Sequence, residues 1–103
     1  NLIMNSVQVK KQNALERANN KLIFAYQGGL FKADSSLIIF VKLHDSKRDL
    51  ILLDQNSTPI LITDITAFVD QAESCYYEAM NEYYQLYEEL KHQRTVKKVM
   101  DNE

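Results

Sequence analysis

TDITAFVDQAESCYYEAMNEYYQLYEELKHQRTVKKVM, residues 63–100, is the longest patterned run in the chain. Ile65, Val69, Ala72, Tyr76, Ala79, Tyr83, Leu86 and Leu90 recur in it at alternating spacings of four and three. An unbroken heptad seam of this kind predicts one amphipathic helix over 64–98 that packs along most of its length against another element. Thr63 and Asp64 are placed to cap it. From Asp64 to Leu90 the run holds seven acidic residues and no Lys or Arg, whereas Lys91, Arg94, Lys97 and Lys98 follow. Acid early and base late suits the helix dipole. At 1.5 Å per residue such a helix is ~52 Å long, against a radius of gyration of ~13 Å for a compact domain of this size. Its far end is therefore expected to overhang, and Leu90, Val96 and Val99 need a cover from the first helix, a second copy or another protein.

Working outward, Leu50–Leu53 and Ile60–Ile62 are apolar runs on either side of Asp54-Gln55-Asn56-Ser57. Asn, Asp and Ser bond nearby backbone in turns, so this is a β-hairpin. Pro59 gives no N–H to a ladder, which makes the second strand an edge or delays its pairing until after Pro59. Before the hairpin stands Leu37-Ile38-Ile39-Phe40-Val41, a block whose branching favours a strand over 37–43. Asp34-Ser35-Ser36 could equally cap a short helix running to His44. Read as a strand, the block joins the hairpin through the polar turn 45–49 in a three-stranded meander over 37–62. The first segment, 6–27, reads as a helix: Leu15, Ala18, Leu22 and Ala25 share a face, widened by Ala14, Ile23 and Tyr26. Ser6 is its N-cap and Gly28-Gly29 its end. The alternative is a helix to Ala18 followed by a strand over 21–27. This first helix is basic (Lys10, Lys11, Arg17, Lys21 against Glu16), a complement to the acidic last one.

With 103 residues the chain is a single domain. Hydrophobic content of 46% and charged content of 25% are those of an ordinary globular protein, and two Gly and one Pro leave little for long loops. A net charge of −2 argues against non-specific nucleic-acid binding. A lone cysteine, Cys75, cannot form an internal disulfide, so a reducing, cytoplasmic setting is expected. No apolar stretch reaches the ~20 residues of a membrane span. Asn1-Leu2-Ile3-Met4 lacks the charged and apolar regions of a signal peptide. Met4 is the expected natural start, with a piece of a longer chain the alternative.

No catalytic or cofactor motif stands out. Five of six tyrosines lie between Tyr76 and Tyr87. Packing of ring faces with hydroxyls in water accounts for them. A protein-binding surface of Tyr76, Tyr77, Tyr83, Tyr84, Leu86, Tyr87 and Leu90 is the sharper reading, since tyrosine is enriched at interface hot spots. Base stacking needs cationic neighbours, and Glu73, Glu78, Glu82, Glu88 and Glu89 would repel phosphates. Glu89 and His92 have the Glu-x-x-His spacing of a di-metal helix but lack the further carboxylates. Cys75 sits among acids rather than the positive charges a thiolate wants, and nothing local pairs it with His44 or His92. Gln27-Gly28-Gly29-Leu30 lacks the Lys-Ser/Thr of a phosphate loop. The basic run 91–98 reads as a solvated helix end. No catalytic, cofactor or metal site is expected, and the chain is not expected to be an enzyme.

The order Gly28-Gly29-Leu30-Phe31-Lys32, then Thr58-Pro59-Ile60, then Met80-Asn81-Glu82-Tyr83-Tyr84 resembles small uncharacterised proteins of marine T4-like tailed phages. The resemblance implies an accessory or assembly protein in the host cytoplasm and transfers no functional residue.

Together these readings predict an α+β domain: an N-terminal helix, a small antiparallel meander and a long C-terminal helix, with the helices paired and covering one sheet face. A small Sm-like β-barrel with appended helices is the alternative, and would bring RNA binding by analogy alone. The expected function is non-enzymatic protein–protein interaction, with a second copy or a helical protein as partner.

Overall fold

The computed structural model describes residues 2–45 and 47–101, with side chains over 6–45 and 47–92. The architecture is α+β. In chain order it runs α1 (Leu2–Lys21), β1 (Ile23–Tyr26), β2 (Gly29–Lys32), α2 (Ser35–Leu43), β3 (Leu50–Leu53), β4 (Pro59–Ile62) and α3 (Ile65–Asp101). The chain divides into two compact units, one of 1–20 with 79–103 and one of 21–78. Among the described residues the sheet content is two separate two-stranded hairpins, with neither the three-stranded meander nor the closed barrel.

The predicted helix over 6–27 is two things. α1 begins at Leu2, which puts Ser6 inside it rather than at its cap, and it stops at Lys21. The chain then turns into β1 and β2, paired as Ile23↔Lys32, Phe24↔Phe31, Ala25↔Leu30 and Tyr26↔Gly29. Gln27 and Gly28 both have positive φ, 48° and 83°, as the type I′ turn of a two-residue hairpin demands. Gly28 thus makes a strand reversal, not a helix end. The physical reason is burial. Phe24 and Phe31 are neighbours across the ladder and both go inside, which a helix through Gln27 could not arrange.

The predicted strand over 37–43 is α2. Asp34 lies before it in extended backbone, and its carboxylate accepts the Leu37 N–H at 2.9 Å. That cap outweighs the strand preference of the branched block, because Val41 goes inside only on a helical face with the half-buried Leu37 and Ile38. The predicted hairpin is present as β3 and β4, paired from Leu50↔Ile62 to Leu53↔Pro59.

In the unit 21–78 the core gathers on one aromatic residue. Phe68 is fully buried, its ring 5.0 Å from Tyr26, 5.2 Å from Phe31 and 5.5 Å from Phe24. Ile62, Ile65 and Ala72 are buried with it. The helix over 64–98 is observed as one unbroken α3 with Asp64 accepting the Ala67 N–H at 3.0 Å. Its inward line in this unit passes through Phe68, while the seam residue Val69 is only half-buried.

In the other unit α1 and α3 lie antiparallel. Arg17 pairs with Glu82, Lys11 stands 5.8 Å over the Tyr87 ring, and Val7 and Gln8 share a groove with Leu90 and Lys91, so one helix ascends as the other descends. Ala14, Ala18 and Ala79 are buried here; small side chains let two helices come close. Leu15, which the helix reading turned inward, is exposed.

Candidate interaction surface

Asp54 is the buried carboxylate of the described residues. Its Oδ1 accepts the N–H groups of Thr58 at 2.8 Å and Asn56 at 2.9 Å, closing the β3–β4 turn. Its Oδ2 accepts the Leu30 N–H at 3.1 Å, and the Gln55 N–H goes to the Leu30 carbonyl at 2.7 Å. One side chain thus ties the two hairpins together. The Thr58 N–H and then the Leu30 N–H hold its carboxyl below the ordinary aspartate value, against burial. Every one of these donors is backbone, so the group is a strut rather than a free acid or base.

The other ionisable candidates are also structural. The Cys75 thiol donates to the Lys21 carbonyl at 3.1 Å, and burial followed by the nearby Glu78 pushes its pKa up. That keeps it protonated and unreactive. His44 Nε2 lies 3.1 Å from the Arg48 carbonyl, bracing the loop after α2. Glu89 and His92 are both exposed. Among the described residues no group of three or more His, Cys, Asp and Glu could hold a metal ion, and no helix is long and apolar enough to cross a membrane.

The tyrosine surface read from the sequence divides. Tyr76, Tyr83, Leu86 and Leu90 are half-buried, while Tyr77, Tyr84 and Tyr87 are exposed. Tyr76 and Tyr77 stack edge to face at 5.8 Å within the unit 21–78. In the other unit Tyr83 and Tyr87 lie 6.3 Å apart, and Tyr87 and Leu90 line the groove with Val7, Gln8, Lys11 and Lys91. Tyr76 and Tyr77 belong to the unit 21–78, and the other five residues to the unit of 1–20 with 79–103.

A more apolar surface was missed, and it belongs to the unit 21–78. Alternation along β3 and β4 sends Leu52 and Ile62 inward and Ile51, Leu53 and Leu61 outward, the last three 65%, 66% and 50% exposed. Ile51 and Leu61 are direct cross-strand partners, and Leu53 stands two residues along the same face. On α2, Ile39, Phe40 and Leu43 are exposed, Leu43 to 82%, at spacings that make them surface neighbours. The signal was present: LILL and PILI do not alternate with polar residues, and after Ser35-Ser36 α2 is apolar except for Lys42. Such patterns belong to elements covered on both faces.

Compared with known protein families, curated proteins and solved structures, the chain matches none.

Proposed function

We propose that this chain is a non-enzymatic interaction protein that associates with further copies of itself, using the apolar side chains that the unit 21–78 leaves in water. An assembly or accessory role, which the phage resemblance implies, goes with this reading. What supports it is the outward face of Ile51, Leu53 and Leu61 with the outward face of Ile39, Phe40 and Leu43. Singly exposed apolar residues need no explanation, whereas contiguous ones mark interaction sites. Fully burying one such side chain is worth about 1.5–3 kcal/mol, so an interface covering even half of these faces gains several. The turn of β3–β4 is held by Asp54 and the start of α2 by Asp34, so both faces are presented on fixed backbone. Rigid presentation lowers the ordering cost of association.

Sedimentation velocity over a wide concentration range tests the reading. The expected result is a sedimentation coefficient that rises with concentration, and a shift to the 12.0 kDa species in an Ile51→Lys, Leu61→Lys double variant. A single 12.0 kDa species at every concentration would overturn it.

A further inference from the structure

Among the described residues of the unit 21–78 the two hairpins have four outer strand edges, and three are blunted at one or more outward positions. Ala25, opposite Leu30 in the ladder, gives its carbonyl to the Gln71 side chain at 3.1 Å, which occupies the β1 edge. The Leu30 N–H and carbonyl are taken by Asp54 and Gln55, which occupies the β2 edge. On β4, Pro59 is one of the two outward-pointing residues and has no N–H to offer, which leaves Leu61 as the other.

The β3 edge differs. Asp54 N–H bonds to the Thr58 carbonyl at 3.0 Å, so 54 and 58 are a bonded pair of the ladder. Bonded and non-bonded pairs alternate in an antiparallel ladder. Leu52↔Ile60 is therefore bonded, while Ile51↔Leu61 and Leu53↔Pro59 are not. The proline falls where the hairpin asks for no N–H. By the same alternation Ile51 and Leu53 point their own N–H and carbonyl groups away from β4, and among the described residues no strand pairs with them on that side. Unpaired edges are usually blunted by charge, proline or a cover. From Leu50 to Leu53 this edge has none of these among the described residues, and its outward positions are Ile51 and Leu53; the Gln55 N–H beyond them is given to Leu30.

We propose that two copies of the chain join through this edge, antiparallel about a two-fold axis at Leu52, to make one four-stranded sheet. The proposal rests on the reading of the chain as self-associating and names the contact. Ile51 of each copy exchanges two backbone hydrogen bonds with Leu53 of the other, four in all. The register is set by what flanks it. At this alignment Leu50 falls opposite Asp54, Asp49 opposite Gln55 and Arg48 opposite Asn56, with no like charges opposed; the Gln55 N–H is given to Leu30, so the bonded pairs are the two between Ile51 and Leu53. Sliding so that Ile51 faces Ile51 brings Asp49 against Leu53. Sliding the other way offers Ile51 to Gln55, whose N–H is already given to Leu30. A second copy fits because its edge is apolar from Ile51 to Leu53, the positions that exchange hydrogen bonds and the one between them, and carries the same free groups. The joined hairpins also merge their outward faces, bringing Ile51, Leu53 and Leu61 of both copies together. Three residues of edge fall short of the ~800 Å² per partner of a standard interface, so the pairing is concentration-dependent.

Two experiments test it. Leu53→Pro removes one donor from each copy at a position where the hairpin itself needs none, mirroring its neighbour Pro59. Losing two of four hydrogen bonds, at about 1 kcal/mol each, weakens dimerisation roughly 30-fold by sedimentation. In a Cys75→Ser background, Ile51→Cys and Leu53→Cys proteins are mixed under mild oxidation. A mixed disulfide that forms faster than either self-disulfide is the expected result, and it decides the matter if Leu53→Pro fails to fold. Association that survives Leu53→Pro unchanged, with no preference for the mixed disulfide, overturns this contact and leaves self-association standing. A native chain that stays monomeric at all concentrations overturns both.

Discussion

Phe68 is the residue on which the hairpins and α3 of the unit 21–78 depend most. It has no exposed surface, and three other aromatic rings lie within 5.5 Å of its own. Phe68→Ala removes the ring and leaves a void that the rigid turns at Gln27-Gly28 and Asp54 cannot close. Buried Phe→Ala changes cost about 3–5 kcal/mol, and the contacts with three rings put this one at the upper end. Against a total stability of about 5–15 kcal/mol, the variant is marginal at room temperature. Its melting temperature should fall by at least 15 °C, taking about 4–8 °C per kcal/mol for a domain of this size. Phe68→Leu keeps most of the volume and should cost about 1.5 kcal/mol. The neighbouring Val69→Ala, at a half-buried site, serves as control and should cost about 1 kcal/mol. Urea unfolding followed by circular dichroism measures all three. A loss for Phe68→Ala no larger than that for Val69→Ala would refute the aromatic core.

Gly29→Ala would place a Cβ 2.8 Å from Ile60 Cγ1 and 3.2 Å from Asp54 Cβ, where the hairpins approach, so a loss of about 1–3 kcal/mol is expected by urea unfolding. Gly28→Ala meets nothing within 4 Å but must hold φ at +83°, so it should lose about 1 kcal/mol from backbone strain alone. Asp54 has a folded pKa below its unfolded one, so its contribution to stability is complete above the ordinary aspartate range and fades as pH falls through the lowered value. Asp54→Asn should therefore melt well below the native chain at neutral pH, with the gap closing in acid; a gap independent of pH would contradict the assignment. Cys75, its pKa raised by burial and Glu78, should react with a thiol reagent at neutral pH far more slowly than a free cysteine, and at the free rate once urea unfolds the chain.

The elements that came through from the sequence were those where local and long-range preferences agree. The helix from Ile65 has a capping Asp64 and a heptad seam pointing the same way. The β3–β4 hairpin has apolar runs around a turn whose Asp54 does what turn aspartates do. The failures lie where two signals compete. Leu15, Ala18, Leu22 and Ala25 satisfy a helical period, so the turn at Gln27-Gly28 read as a terminus; only the pairing of Phe24 with Phe31 shows the strand reversal. In α2 the branched block argued for a strand, and a single hydrogen bond from Leu37 to Asp34 decided otherwise. A heptad seam says which residues face a neighbour, not which are left over, so the sequence named the tyrosine set without separating its half-buried members from its exposed ones. Four of the seven are half-buried, while Ile51, Leu53 and Leu61 are exposed because they share the face of the hairpin opposite to the buried Leu52 and Ile62.

Amide hydrogen exchange at Ile51 and Leu53, read in dilute and in concentrated solution, tests most directly whether this chain associates through its uncovered strand. Both N–H groups should exchange rapidly when the protein is dilute and slow at least tenfold when it is concentrated, while Leu52, already bonded to Ile60, changes little. Rapid exchange at Ile51 and Leu53 at every concentration would contradict that contact.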